Sequence, residues 1–241
     1  MDRTQSVSFI MAGYNEAAVA RRSIEAVWQV LRQSFEDFEL ILVDDGSADE
    51  TLSVMRRCAE QYPGIRVLEN GINLNYGASV LRGMCAARKD WIVYDAFDLE
   101  MKPEDFVRAF QATDAETDFV VFQRETYEAV PRRKFASLCN RALLRVLFPR
   151  LTRGTPVLNH TQMFRRDCLP QVLPLARSPI FFAPEMVFRG RRAGLRWKNV
   201  KIPFHCIGGV RPGAFGHLHD ILWGLHDMFR FRFLLWSGHI A

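Results

Sequence analysis

With 241 residues, 49% of them hydrophobic, the chain can bury one large α/β domain or a domain with an extension. It has neither a basic-led apolar leader nor a run of about eighteen uncharged apolar residues, and its five scattered cysteines lack C-x-x-C spacing, which argues against a spanning helix, a disulfide framework or a zinc site and predicts a cytoplasmic protein. The net charge of +5 divides into −9 over residues 1–123 and +14 over residues 124–241, suggesting a metal-nucleotide on the acidic side and an anionic surface or phosphate, with no nucleic-acid motif, on the basic side.

Apolar runs and amphipathic stretches alternate through the first 123 residues. Strands are expected at Val7 to Ala12, Phe38 to Val43, Ile65 to Leu68, Trp91 to Tyr94 and Asp118 to Phe122, and helices near 16–33, 49–62, 76–88 and 103–112. Such alternation predicts a mostly parallel central sheet with helices on both faces. Asn15 is read as the cap of the first helix and Asp49 as the cap of the second, with Pro103 in the first turn of the fourth. Beyond Arg124 the basic stretch Arg132-Arg133-Lys134 leads into a helix to about Phe148, and Pro149 and Gly154 mark a loop. A strand over Pro156 to Phe164, a helix around Pro184 to Ala193 and a strand from Leu195 to Ile202 follow. Glycines 208, 209, 213 and 216 make a connection to a last helix from His217 to Trp236. That helix gathers Leu218, Ile221, Leu222, Leu225 and Phe229 on one face and mixes aromatics with Arg230 and Arg232 near its end. It suits a membrane interface, or packing on its own domain or on a second subunit as a homodimer. His217, His219 and His226 on it read as surface or interfacial residues.

Two carboxylate clusters close apolar runs: Val43-Asp44-Asp45-Gly46-Ser47-Ala48-Asp49, and Tyr94-Asp95-Ala96-Phe97-Asp98-Leu99-Glu100. Both would project acids from the carboxyl ends of strands, where open α/β sheets bind ligands. Gathered carboxylates repel one another unless something cationic or donating sits among them, and a divalent metal holding a diphosphate would serve.

At these residues the chain resembles glycosyltransferase family 2 enzymes with the GT-A fold, especially the dolichol- and polyprenyl-phosphate sugar transferases. The resemblance rests on Ala12-Gly13-Tyr14-Asn15-Glu16, on Val43 through Thr51, on Asn73-Leu74-Asn75-Tyr76-Gly77-Ala78, and on Asp98-Leu99-Glu100 followed by Pro103-Glu104. It implies an inverting, metal-dependent transferase that moves a sugar from a UDP- or GDP-linked donor to a polyprenyl or dolichyl phosphate, peripheral on the cytoplasmic face of a membrane. Residues 1–210 would form the GT-A domain, with a nucleotide-sugar half (1–123) and an acceptor half (124–210), and 211–241 a Gly-rich connection and helix.

By the same resemblance Ala12, Tyr14, Glu16, Asp44, Asp45 and Asn73 would hold the nucleotide, with Asp95 and Glu100 near the donor. Asp98, with Asp95, would bind Mg²⁺ or Mn²⁺. Arg124, Arg132, Arg133, Lys134 and Arg211 would attract an acceptor phosphate, and Glu185 would stand where a base would be needed. Several positions depart from the family pattern: Ala96 occupies the first D of the D-x-D loop, leaving D-x-x-D; Asn75 replaces a usual Gly; and Val157 to Thr161 lacks an expected Asp. A lipid phosphate is ionised at neutral pH and needs no base, whereas a saccharide hydroxyl would depend on Glu185. The departures keep open a saccharide acceptor and a non-catalytic nucleotide- or partner-binding relative. A dinucleotide oxidoreductase is disfavoured because no G-x-G-x-x-G follows the first strand.

Overall fold

The computed structural model describes residues 5–99, 101–124, 131–153, 161–176, 178, 180–203 and 218–238. In chain order these are β1 (Val7–Gly13), α1 (Ala17–Ser34), β2 (Phe38–Asp44), α2 (Thr51–Gln61), β3 (Ile65–Glu69), α3 (Tyr76–Ala86), β4 (Trp91–Ala96), α4 (Pro103–Gln111), β5 (Phe119–Arg124), α5 (Pro131–Leu147), α6 (Pro149–Thr152), β6 (Gln162–Arg165), α7 (Leu169–Val172), α8 (Phe182–Arg192), β7 (Trp197–Ile202) and α9 (Leu218–Trp236). The strands form one sheet in the order β3-β2-β1-β4-β6-β5-β7. All pairings are parallel except those of β6, which runs antiparallel between β4 and β5.

Alternation along the strands separates two cores. In β1, Val7, Phe9 and Met11 face the core beneath α1, α2 and α4, while Ile10 and Ala12 face the core beneath α3, α7 and α8. Strand β4 does the same with Trp91 and Val93 on one side and Ile92 and Tyr94 on the other. Helix α1 buries Ala20, Ile24, Val27, Trp28 and Leu31 at helical spacing. A third cluster joins Leu144 and Phe148 from the α5–α6 segment, Phe181 and Phe188 around α8, and Met228 and Phe231 from α9.

Several expectations need correction. Asn15 does not cap α1: it lies in the left-handed region (φ 55°), and its side chain bonds the loop after β2. Pro149 opens the short helix α6 rather than a loop, because a proline at N1 gives up no helical bond. Of the strand expected over 156–164, β6 is only Gln162–Arg165; residues 154–160 and the glycine connection lie outside the described residues. The apolar face expected of the last helix is also different. Ile221, Leu222 and Phe229 are exposed, and Gly224, Met228 and Phe231 are buried instead.

Candidate functional site

Strands β2 and β3 extend to one side of β1 and β4 to the other, so the order reverses between β1 and β4 and leaves a crevice at their carboxyl ends. The registers place the acids there: Asp44 pairs with Gly13, and Asp95 pairs with Met11. The site is therefore built from the loops after β1, β2, β3 and β4, with Ala12, Tyr14, Glu16, Asp44, Asp45, Asn73, Asp95 and Asp98 on them or at their strand ends.

The loops after β1 and β2 brace each other through exchanged caps. Asn15 N–H donates to Ser47 Oγ (3.0 Å), and Asn15 Oδ1 accepts the Ala48 and Asp49 amides (2.8 and 3.3 Å). In return Thr51 Oγ1 accepts the Glu16 amide (2.7 Å), and Asp49 Oδ2 accepts the Ala17 amide at the start of α1 (3.2 Å). Asp49 thus caps α1 from across the loop as well as bonding the Thr51 amide of α2. Burial pushes its carboxyl up, but the bonds from Thr51 and the Ala17 amide outweigh this and hold it below the usual carboxylate range.

Adjacent Asp44 and Asp45 are both buried, yet they differ in what they do. Asp45 Oδ1 accepts Asn70 Nδ2 (3.0 Å) and the Leu74 amide (2.8 Å), and Asn70 also donates to Ser79 Oγ (2.7 Å), so Asp45 fastens the β3–α3 loop. Asp44 Oδ2 accepts the Gly46 and Ser47 amides, both at 3.1 Å, while its Oδ1 is buried with no hydrogen-bond partner among the described residues. A buried charged oxygen left in this way is costly unless a ligand completes it. The turn needs glycine at position 46, where φ is +74° and a Cβ would lie 2.4 Å from the Ile72 carbonyl carbon.

Around the crevice, Tyr14 is 45% exposed, leaving an aromatic ring open at its rim. Asn73 Oδ1 accepts the Asn75 amide (3.0 Å), and Asn75 has φ 72° and ψ 155°, a region that belongs almost entirely to glycine. The loop after β4 turns through Leu99 (φ 47°), whose amide bonds the Ala96 carbonyl. Phe97, Leu99 and Met101 are buried and anchor it, and Ser23 Oγ donates to the Phe97 carbonyl, while Asp98 stays half-buried between them. Asp95 Oδ1 accepts the Ala96 amide (2.8 Å) and Thr161 Oγ1 (3.4 Å).

Among the described residues no group of three His, Cys, Asp or Glu side chains is placed to hold a metal ion. Asp95 ends β4 and Asp98 lies in the loop after it, and carboxylate oxygens are the hard donors that Mg²⁺ or Mn²⁺ takes together with phosphate and water.

The remaining expected site residues separate. The Arg124 backbone ends β5, which runs in the same direction as β4, so it leaves the sheet at the same edge. Arg132, Arg133 and Lys134 lie in the first turns of α5, and Glu100 and Arg211 lie outside the described residues. Glu185 is buried within α8: Oε1 accepts the Leu175 amide (3.0 Å) and Arg189 Nε (2.6 Å), and Oε2 accepts the Ala176 amide (2.8 Å).

Four contributors escaped the sequence reading. Asn70, which also donates to Ser79, holds Asp45, Thr161 reaches Asp95, and fully buried Gln162 donates Nε2 to the Ala183 carbonyl (2.9 Å) while its Oε1 has no partner among the described residues. Asn70 before Gly71 is a turn signal after a strand; Thr161 and Gln162 carry none, because their contacts depend on β6 inserting beside β4.

The sequence profile of glycosyl transferase family 2 matches residues 8–172. An undecaprenyl-phosphate 4-deoxy-4-formamido-L-arabinose transferase of Edwardsiella ictaluri is 30% identical over 143 residues, covering 56% of this chain and 42% of the relative. A dolichyl-phosphate beta-glucosyltransferase of Trichomonas vaginalis is 22% identical over 223 residues, covering 85% and 67%. The chain spans less than half the length of the undecaprenyl-phosphate relatives it matches. Among solved structures, glucosyl-3-phosphoglycerate synthase from Mycobacterium tuberculosis superposes with a TM-score of 0.72 at 19% identity, covering 94% of this chain and 80% of the other. The same enzyme in complex with Mn²⁺, UDP and glucosyl-3-phosphoglycerate gives 0.68, also at 19% identity, with 94% and 81% covered. These neighbours identify the fold as GT-A.

Proposed function

Since the chain belongs to glycosyl transferase family 2, we propose that it is an inverting, metal-dependent transferase that moves a sugar from a UDP- or GDP-linked donor to a polyprenyl or dolichyl phosphate at a membrane surface. The observation that carries this reading is the acidic crevice between β1 and β4, with the buried, unpartnered Oδ1 of Asp44 at its wall. Asp44 accepts a hydrogen bond from the donor's ribose or base, since a carboxylate is an acceptor only. Asp45 acts through the loop it fastens, presenting Asn73 and the start of α3. Tyr14 offers its exposed ring to the base, with Ala12 and Glu16 beside it.

Asp98, with Asp95, would hold the divalent cation, which when bound stabilises the charge that builds on the leaving diphosphate. The acceptor phosphate is drawn by Arg124, Arg132, Arg133, Lys134 and Arg211 in the basic half. A phosphate nucleophile needs no base, and this agrees with Glu185, whose two oxygens are taken up by the Leu175 and Ala176 amides and by Arg189. Glu185 ties the Leu175–Ala176 backbone to α8 rather than moving a proton. The names of the relatives, undecaprenyl-phosphate and dolichyl-phosphate transferases, favour the lipid phosphate over a saccharide. Residues 1–210 act as the transferase domain, with the protein peripheral on the cytoplasmic face.

The test is transfer of labelled sugar from UDP- and GDP-sugars, with Mn²⁺, to detergent-dispersed undecaprenyl phosphate. Label in the organic phase supports the proposal. Label appearing only on saccharide acceptors would replace the lipid phosphate, and no transfer from any donor would favour a non-catalytic nucleotide-binding relative, to which Ala96 in the metal loop already points.

A further inference from the structure

Helix α9 has two faces that differ sharply. Its inner face is locked: Met228 and Phe231 are buried, and Phe231 sits against Phe148, Phe181 and Phe188 with centroids 5.7, 5.6 and 6.4 Å away. The Arg189 guanidinium lies 5.5 Å from the same ring, and Asp227 Oδ2 accepts the Ser178 amide (3.0 Å). A Cβ at Gly224 would come within 3.0 Å of Ile180, so the helix approaches as closely as glycine allows. A helix seated in this way cannot roll to hide its other side.

That other side is apolar and open. Leu222, Phe229, Phe233 and Trp236 are 55%, 55%, 60% and 78% exposed. At roughly 100° per residue they fall within an arc of about 60°, with Arg230 beyond one edge and Arg232 beyond the other. Both arginines are exposed, as is His226 on the same side. Among the described side chains no acid lies on this face, since Asp227 turns inward to Ser178. The neighbouring α5–α6 segment continues the sign: no Asp or Glu occurs between residues 129 and 166, and Arg145 and Arg150 are exposed.

We propose that the outer face of α9 docks in the interface of an anionic lipid bilayer, lying parallel to it with Leu222, Phe229, Phe233 and Trp236 among the upper acyl chains and Arg230 and Arg232 at the headgroups. The charge decides the occupant. A second copy applied to this face would bring arginines against arginines within a half-chain of net +14, whereas anionic headgroups match both Arg230 and Arg232. No helix among the described residues is long and apolar enough to cross a membrane, in keeping with a helix that lies on one. Because α9 is already folded and seated, docking orders nothing new. The inference deepens the proposed function by naming how the protein meets the bilayer that carries its acceptor, and it rests on that reading only for the acceptor.

The test is flotation of the full chain with phosphatidylcholine vesicles, with and without phosphatidylglycerol. Expected are binding that requires phosphatidylglycerol and weakens with salt, and quenching of tryptophan emission by brominated lipid that is lost in Trp236→Phe. A Phe233→Gln/Trp236→Gln double variant should lose more than tenfold in partitioning. Arg230→Gln/Arg232→Gln should lose about tenfold or more on anionic vesicles. Thermal unfolding unchanged from the parent would show that both variants are folded. Absence of the parent from anionic vesicles, partitioning untouched by either double variant, or a parent dimer that Phe233→Gln/Trp236→Gln splits in sedimentation would each overturn the docking. Transfer to detergent-dispersed acceptor without vesicle binding would sink this inference alone. Vesicle binding without transfer to any acceptor would sink the proposed function and leave the docking in place.

Discussion

Replacing Asp44 by Asn should separate ligand binding from folding at the crevice. Oδ2 accepts the Gly46 and Ser47 amides, and Oδ1 has no partner among the described residues. An asparagine keeps one oxygen for the two amides and removes a buried charge that is only half satisfied, so stability should stay within about 1 kcal/mol of the parent and can rise. For a chain of this size that is a shift of at most about 4 °C in Tm. The position left by Oδ1 then holds an N–H₂ donor facing a ribose hydroxyl or base N–H. The loss of a hydrogen bond to a charged acceptor is about 1.5–3 kcal/mol, or about 10- to 150-fold in Kd. Asp45→Ala should behave in the opposite way. It strands two donors, Asn70 Nδ2 and the Leu74 amide, and should destabilise by about 2–4 kcal/mol through the loosened β3–α3 loop. Thermal unfolding of both variants beside calorimetric titration with UDP and GDP reads the two effects apart. Parent-like nucleotide affinity in Asp44→Asn would refute the role assigned to its unpartnered oxygen.

Other positions yield further expectations. Asn75→Gly should stabilise the fold by about 1–2 kcal/mol, because φ 72° with ψ 155° strains any residue with a Cβ; a lowered denaturant midpoint would contradict it. Glu39 is pushed up by burial, but bonds from the Ser8 hydroxyl, Arg66 and the Arg88 amide together hold its carboxyl below the usual range. A lowered folded-state value means this stabilisation is complete above the unfolded carboxyl's value and disappears as pH falls through the folded one. Glu39→Ala should therefore cost about 3 kcal/mol at neutral pH, with the gap to the parent closing in acid, as urea melts across pH would reveal. Glu185→Gln should lower stability by about 1–3 kcal/mol yet leave kcat of lipid transfer within a few-fold, since its bonds to Leu175, Ala176 and Arg189 are structural; a collapse of kcat in a folded variant would restore it as a base.

The fold was most legible where one period ruled. The runs ending at Ala12, Val43 and Tyr94 are buried on both faces and read as strands, and the spacing of Ile24, Val27, Trp28 and Leu31 reads as a helix. What escaped depends on partners far away in the chain. Asn15 and Asp49 look like ordinary caps of the helices that follow them, yet α1 and α2 begin side by side, so Asn15 bonds the loop after β2 instead of its own helix and Asp49 serves the start of α1 as well as that of α2. The insertion of β6 between β4 and β5 leaves no local trace, so the Thr161–Asp95 contact was invisible. Helix α9 carries large apolar residues on both sides, and periodicity alone could not choose between Leu222 with Phe229 and Met228 with Phe231. Gly224 against Ile180 decides it, because close approach is possible only on that side. The acidic crevice was legible because its acids sit immediately after apolar strands; the division of labour between Asp44 and Asp45 was not, since it depends on which oxygen the β3–α3 loop reaches.

The most direct test of the account is calorimetric titration of the protein with UDP and GDP, with and without Mn²⁺, repeated on Asp98→Ala. One nucleotide should bind far better with the metal present, and Asp98→Ala should lose that increment while its thermal unfolding stays close to the parent's. Failure of both nucleotides to bind under either condition, or an Asp98→Ala variant whose metal-dependent binding is undiminished, would contradict a donor site at the β1–β4 crevice.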